Sequence, residues 1–182
     1  GGGVLGHVAV AGLVVAGAGN TPADTSFYPA AYPGVVSVGA TDGNGIRTGF
    51  STYGQDLDVV APGTGVHVTK LDGGYGTAGG TSFSAPLTAG TAALVWSVFP
   101  SWTADQVAWR LRMSAGGAPE GWNGDLGWGL VDAARAVAEG PPPPVAQIES
   151  VRLAGAAGGA GDGAGVGTDG ARRVFTGTVA SA

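Results

Sequence analysis

The chain has 182 residues, 44% of them hydrophobic, which suits one domain with a buried core plus an appendage. Its formal charge of −5, with eight Lys and Arg residues scattered along the chain, offers no phosphate-binding stripe and argues against a nucleic acid partner. A count of zero cysteines excludes disulfides, cysteine catalysis and thiolate metal sites.

The chain starts at Gly1-Gly2-Gly3, with no charged segment followed by an apolar one of the kind that directs export. Val4 to Ala11 reads as the end of an apolar helix, and Leu13 to Ala18 as a short apolar strand of a buried parallel sheet. That strand stops at Gly19-Asn20, with turn residues Thr21 and Pro22 beyond it. A proline-punctuated loop, Phe27 to Gly34, leads into a strand at Val35–Thr41. Phe50 to Gly54 and Leu57 to Gly63 follow, with Asp56 between them; Asp56 and Asp58 are candidate acids, read here as a turn residue and a strand-end residue. Val66–Thr69 alternates as a half-exposed strand, and Asp72 to Gly76 is a hairpin turn.

From Gly73 to Ala104 there is no Asp, Glu, Lys or Arg, so a helix in this segment has no charged face for water and is expected to run through a core. Pro86, Gly90 and several hydroxyls interrupt the run before about 18 apolar residues accumulate, which argues against a membrane span. Ser82 sits at the mouth of this helix, where free backbone N–H groups and the positive end of the dipole can stabilise an oxyanion. Thr103 and Gln106 have capping-box spacing for a further helix whose Val107, Ala108 and Leu111 share one face. Asp132 is an apt N-cap for a last helix. Residues 1–140 are thus read as one region, and residues 141–182 as a stiff Pro141–Pro144 spacer with a Gly/Ala-rich tail. The tail reads either as the start of a β-rich accessory region or as a disordered extension.

Gly80-Thr81-Ser82-Phe83-Ser84-Ala85-Pro86, followed by Ala89-Gly90, resembles the nucleophile motif of the subtilisin-like serine proteases, Gly-Thr-Ser-x-Ala/Ser-Ala/Ser-Pro. Ala18-Gly19-Asn20 after a strand resembles the family's oxyanion-hole segment. The Tyr28-Pro29-Ala30-Ala31-Tyr32-Pro33 loop, Asp58-Val59-Val60-Ala61-Pro62-Gly63 and the run from Gly127 to Val137 resemble other subtilase elements in the right order. The resemblance covers Leu13 to about Val137 and implies an α/β fold. That fold is a doubly wound, mainly parallel sheet of the subtilisin type whose N-terminal strands lie outside this chain.

Endopeptidase action on protein or peptide substrates is what the resemblance implies, with an extracellular or cell-surface location. Ser82, and not Ser84, would be the nucleophile, Asn20 and the Ser82 N–H would hold the oxyanion, and Gly17, Ala18 and Gly19 would form one wall of the P1 pocket. No cofactor is required for that chemistry, and no metal ligand is assigned. A structural calcium held by carbonyls of the Phe27–Gly34 loop leaves no side-chain trace to place it.

Serine catalysis also needs a base and a carboxylate that orients it, and in this family both precede the nucleophile in the order Asp, His, Ser. His7 and His67 lack the family's context for the base, and no Asp precedes Asp24. The resemblance therefore places the triad Asp and His in an upstream half of the same protein, a partner without which residues 1–182 are expected to be inactive. A non-catalytic module of the same fold is the alternative. A serine esterase is disfavoured, because Gly-Thr-Ser-Phe-Ser-Ala-Pro is not the Gly-x-Ser-x-Gly elbow of that class.

Overall fold

In the computed structural model, residues 12–118, 121–138 and 140 are described. The expected apolar helix before Gly12, His7 within it, and the whole of residues 141–182 lie outside the described residues. The core is a parallel sheet of β1 (Val14–Gly17), β2 (Val35–Thr41) and β3 (Val59–Pro62), in the order β1-β2-β3. Val14 pairs with Val35 and Val38 with Val59. Parallel neighbours need a long crossover, which residues 18–34 and 42–58 provide as loops. An antiparallel hairpin, β4 (Val66–Thr69) and β5 (Tyr75–Ala78), then leads into α1 (Thr81–Val98).

The near-continuous β-branched and small residues of β2 explain its central place, since from Val36 to Thr41 every residue is buried. Val36, Val38, Val59 and Ala61 form one side of the sheet and pack with Ala108 of α2 (Ala104–Ser114). Val60 points to the other side, where Leu57, Leu126 and Leu130 cover it. All described helices thus sit over one face, and loop residues close the second. α2 is capped as its sequence dictates, with Gln106 N–H donating to the Thr103 hydroxyl and Thr103 N–H to the Gln106 amide. Asp132 caps α3 (Ala133–Val137) by accepting from Arg135 N–H at 2.9 Å.

α1 is buried along one stripe only. Thr81, Ser84, Thr88, Thr91, Ala92 and Val95 are buried, whereas Leu87, Leu94 and Val98 are 45%, 51% and 47% exposed. The uncharged sequence therefore faces the sheet along one stripe only, because no described element lies over the other stripe.

Candidate active site

β1 and α1 meet at their ends, and the residues singled out as nucleophile and oxyanion donor meet there too. Gly80 is the N-cap of α1, Thr81 its first residue and Ser82 its second. The first turn of any helix leaves its N–H groups without intrahelical partners. Here Thr81 N–H donates to Asn20 Oδ1 at 2.9 Å and Phe83 N–H to the Gly80 carbonyl at 3.0 Å. Ser82 N–H has no acceptor among the described residues. Pro86 lies within the helix and lacks the N–H that would bond the carbonyl of Ser82, an exposed residue whose carbonyl water can serve instead.

Asn20 is brought to the helix by a turn built for close approach. A Cβ on Gly17 would stand 2.7 Å from Thr81 Oγ1 and 2.9 Å from the Thr81 carbonyl carbon, so the end of β1 touches the start of α1 only as glycine. Gly19 N–H donates to Thr81 Oγ1 at 3.2 Å. Thr52 clamps the same turn, its N–H donating to Gly19 O at 3.0 Å and its hydroxyl to Thr21 O at 2.8 Å. Asn20 Oδ1 then accepts from both the backbone N–H and the hydroxyl of Thr81, the latter at 3.2 Å. With its oxygen so engaged, the amide's free end is Nδ2.

Gly80 fixes where that end and the serine hydroxyl face each other. Its φ is +141°, and a Cβ there would lie 3.2 Å from Ser82 Oγ and 3.3 Å from Asn20 Nδ2. The hydroxyl and the amide therefore border one volume, which Gly80 leaves open. Both residues are exposed. The arrangement presents a hydroxyl flanked by two N–H donors, one from a helix N-terminus, which is the donor set that stabilises an oxyanion.

The other singled-out residues fall elsewhere. Ala18 is buried among Leu57 and Val60, and its N–H continues the sheet by donating to Val38 O at 2.9 Å. Ser84 is fully buried and donates to the carbonyls of Ala61 and Pro62, tying α1 to the end of β3. Asp58 accepts from Arg112 Nε at 2.8 Å and from Ser37 N–H at 2.9 Å. Asp56 accepts from the Ser26 hydroxyl. Both acids thus hold loops and strands together. His67 is exposed on β4 opposite Thr77. Among the described residues no imidazole or carboxylate is hydrogen-bonded to Ser82. Thr81 and Thr52 were not singled out by sequence. Thr81 lay inside the quoted motif, but only the fold shows that it holds Asn20.

The chain matches the subtilase family over residues 5–129. It is 44% identical to a thermostable alkaline protease of Halalkalibacterium halodurans over 126 residues, 68% of this chain and 34% of that protein. It is 45% identical to alkaline elastase YaB of a Bacillus species, over 66% of this chain and 32% of that protein. To subtilisin Savinase of Lederbergia lenta it is 44% identical, over 66% of this chain and 44% of that protein. A solved protease of Pseudoalteromonas arctica superposes with a TM-score of 0.65 at 34% identity, covering 70% of this chain and 42% of that one. The chain belongs to the subtilase family, and it spans between about a third and less than half of the length of these relatives.

Proposed function

We propose that this chain supplies the nucleophile and the oxyanion hole of a serine endopeptidase. The observation that supports it most is the junction in which Asn20 Oδ1 is bound by Thr81 while Nδ2 and Ser82 Oγ face the same glycine. Ser82 Oγ would attack the scissile carbonyl carbon, giving up its proton to a histidine and placing the carbonyl electrons on oxygen. That oxyanion would lie between Ser82 N–H and Asn20 Nδ2–H. Collapse would expel the amine, protonated by the same histidine, and leave an acyl ester on Ser82 that water then hydrolyses. Gly17, Ala18 and Gly19 would form one wall for the P1 side chain. No cofactor enters these steps, and a structural calcium is given no ligands here.

The base and its orienting Asp are proposed to come from an upstream half of the same protein, which would also cover the exposed stripe of α1 and pair with the free edge of β1. An extracellular or cell-surface location is proposed with the activity, on family resemblance. Residues 1–182 alone are expected not to cleave peptides at an enzymatic rate, since within this family losing the base costs on the order of 10⁶ in kcat. The test is labelling of the complete protein with a fluorophosphonate, followed by peptide mass spectrometry. Stoichiometric modification of Ser82 is expected. Modification elsewhere would overturn the assignment, and no modification of a folded complete protein would favour the non-catalytic module.

A further inference from the structure

The hairpin β4–β5 stands apart from the rest of the domain. No residue of either strand is buried, and none belongs to a core cluster of the described residues. Its ladder runs only from the Val66–Ala78 pair to the Thr69–Tyr75 pair. A two-stranded ribbon this short, without a buried face, is marginal by itself, so it opens locally at little cost.

The tip is more open still. Thr69 to Tyr75 are all exposed, Leu71 at 107% and Tyr75 at 79%. The turn is closed by backbone bonds from Lys70 N–H to Gly74 O and from Gly73 N–H to Lys70 O, both at 3.2 Å. Gly73 and Gly74 have φ of +89° and +77°, and a Cβ on either would meet nothing within 4 Å. Lys70, at this tip, is the chain's one lysine.

The base of the same hairpin is pinned. Gly80 N–H donates to Gly63 O at 2.8 Å, Gly63 N–H to Thr41 O at 2.8 Å, and the Ser84 hydroxyl to Ala61 O at 3.0 Å. Thr81 N–H, the next along the chain from Gly80, holds Asn20. An opening that spreads from the tip therefore ends at Gly63 and Gly80, before it reaches Ser82.

We propose that the Lys70–Leu71 bond is a processing site for a protease that takes a basic side chain at P1. Water adds across the bond, leaving a carboxylate on Lys70 and an amine on Leu71. The product is a two-piece domain, with Asn20 on one piece and Ser82 on the other, held together by the bonds that pin α1 to the sheet. The arginines of the folded region are poor rivals. Arg110 and Arg112 lie inside α2, Arg135 lies inside α3, and Arg47 is paired with Asp125 at 2.9 Å and followed by the buried Thr48. Cutting beside them requires those elements to unfold first, whereas an exposed tip is cut as it stands.

The test treats the complete protein, carrying Ser82→Ala to prevent self-cleavage, with trace trypsin and follows new N-termini by mass spectrometry. Within residues 12–140, Leu71 is expected to be the first new N-terminus. Cuts after those arginines are expected to be slower by roughly a hundredfold, since they wait on local unfolding. Lys70→Gln is expected to abolish the cut at the tip and leave the thermal unfolding midpoint in place. The nicked protein should elute from gel filtration in native buffer as one species at the intact position, and separate into two pieces in denaturant. First cleavage after any of the arginines would overturn the proposal, as would resistance of Lys70–Leu71 in the folded complete protein. Separation of the pieces in native buffer would overturn it too, by showing that the base of the hairpin does not hold.

Discussion

Thr81 grips Asn20 by its amide oxygen at two points, through its backbone N–H at 2.9 Å and its hydroxyl at 3.2 Å. The first residue of α1 thereby decides which end of the Asn20 amide faces Ser82. Thr81 is 3% exposed, so water does not replace the hydroxyl when it is removed. In the complete protein, Thr81→Val is expected to lower kcat by about 2–10-fold, the equivalent of one neutral hydrogen bond, with KM little changed. Thr81→Ser should restore most of the loss. A Thr81→Val enzyme with unchanged kcat would mean that the backbone N–H alone holds the amide.

Asn20→Ala removes the donor itself. For a group that acts on charge developed only in the transition state, the loss appears in kcat and leaves KM nearly untouched. Removal of such a donor in a subtilisin costs about 10²–10³ in kcat, and the same range is expected here by family membership. Steady-state kinetics on a peptide anilide would decide it, and a loss confined to KM would show that Asn20 binds substrate and does not serve the oxyanion.

Local rules made much of this fold legible in the sequence. Val35–Thr41 was readable as a buried strand because its apolar run is bounded by turn residues, and the observed β2 has the same limits. The Thr103/Gln106 spacing encodes a capping box that forms with both bonds present. What sequence did not reveal depends on contacts between distant segments. The Thr81–Asn20 bonds join residues 61 apart, and the Thr52 clamp joins residues 31 apart. The absence of charge in α1 was a sound sign of apolar neighbours. It could not say that those neighbours would occupy one stripe among the described residues and leave Leu87 and Leu94 open.

Gly17 offers a test of how tightly β1 must approach α1. An added Cβ would meet Thr81 Oγ1 at 2.7 Å and its backbone at 2.9 Å, and backbone atoms cannot rotate aside. Overpacking of this kind costs about 1–3 kcal/mol, and the displacement would move Thr81 and with it Asn20. Gly17→Ala in the complete protein is therefore expected to lose stability in that range in urea and to lose kcat as well. Retained stability with retained kcat would show that the junction has slack.

The exposed stripe of α1 yields opposite expectations in two settings. Leu87, Leu94 and Val98 are 45%, 51% and 47% exposed, and they lie seven and four residues apart, on one face of the helix. Val14, on β1 at the edge of the described sheet, is 48% exposed, and among the described residues that strand is open to pairing with another copy. In residues 1–182 expressed alone, these surfaces should drive association, and Leu87→Lys with Leu94→Glu should keep more of the chain soluble and monomeric. In the complete protein the proposed upstream half would bury both leucines. Each buried leucine is worth about 1.5–3 kcal/mol, so the same pair of substitutions should remove about 3–6 kcal/mol, a large share of a typical domain's net stability. Sedimentation of the short chain and denaturant unfolding of the complete protein read the two effects separately. A complete protein that tolerates both charges without loss would mean that the stripe stays in water there too, and the covering half would have to be sought on another face.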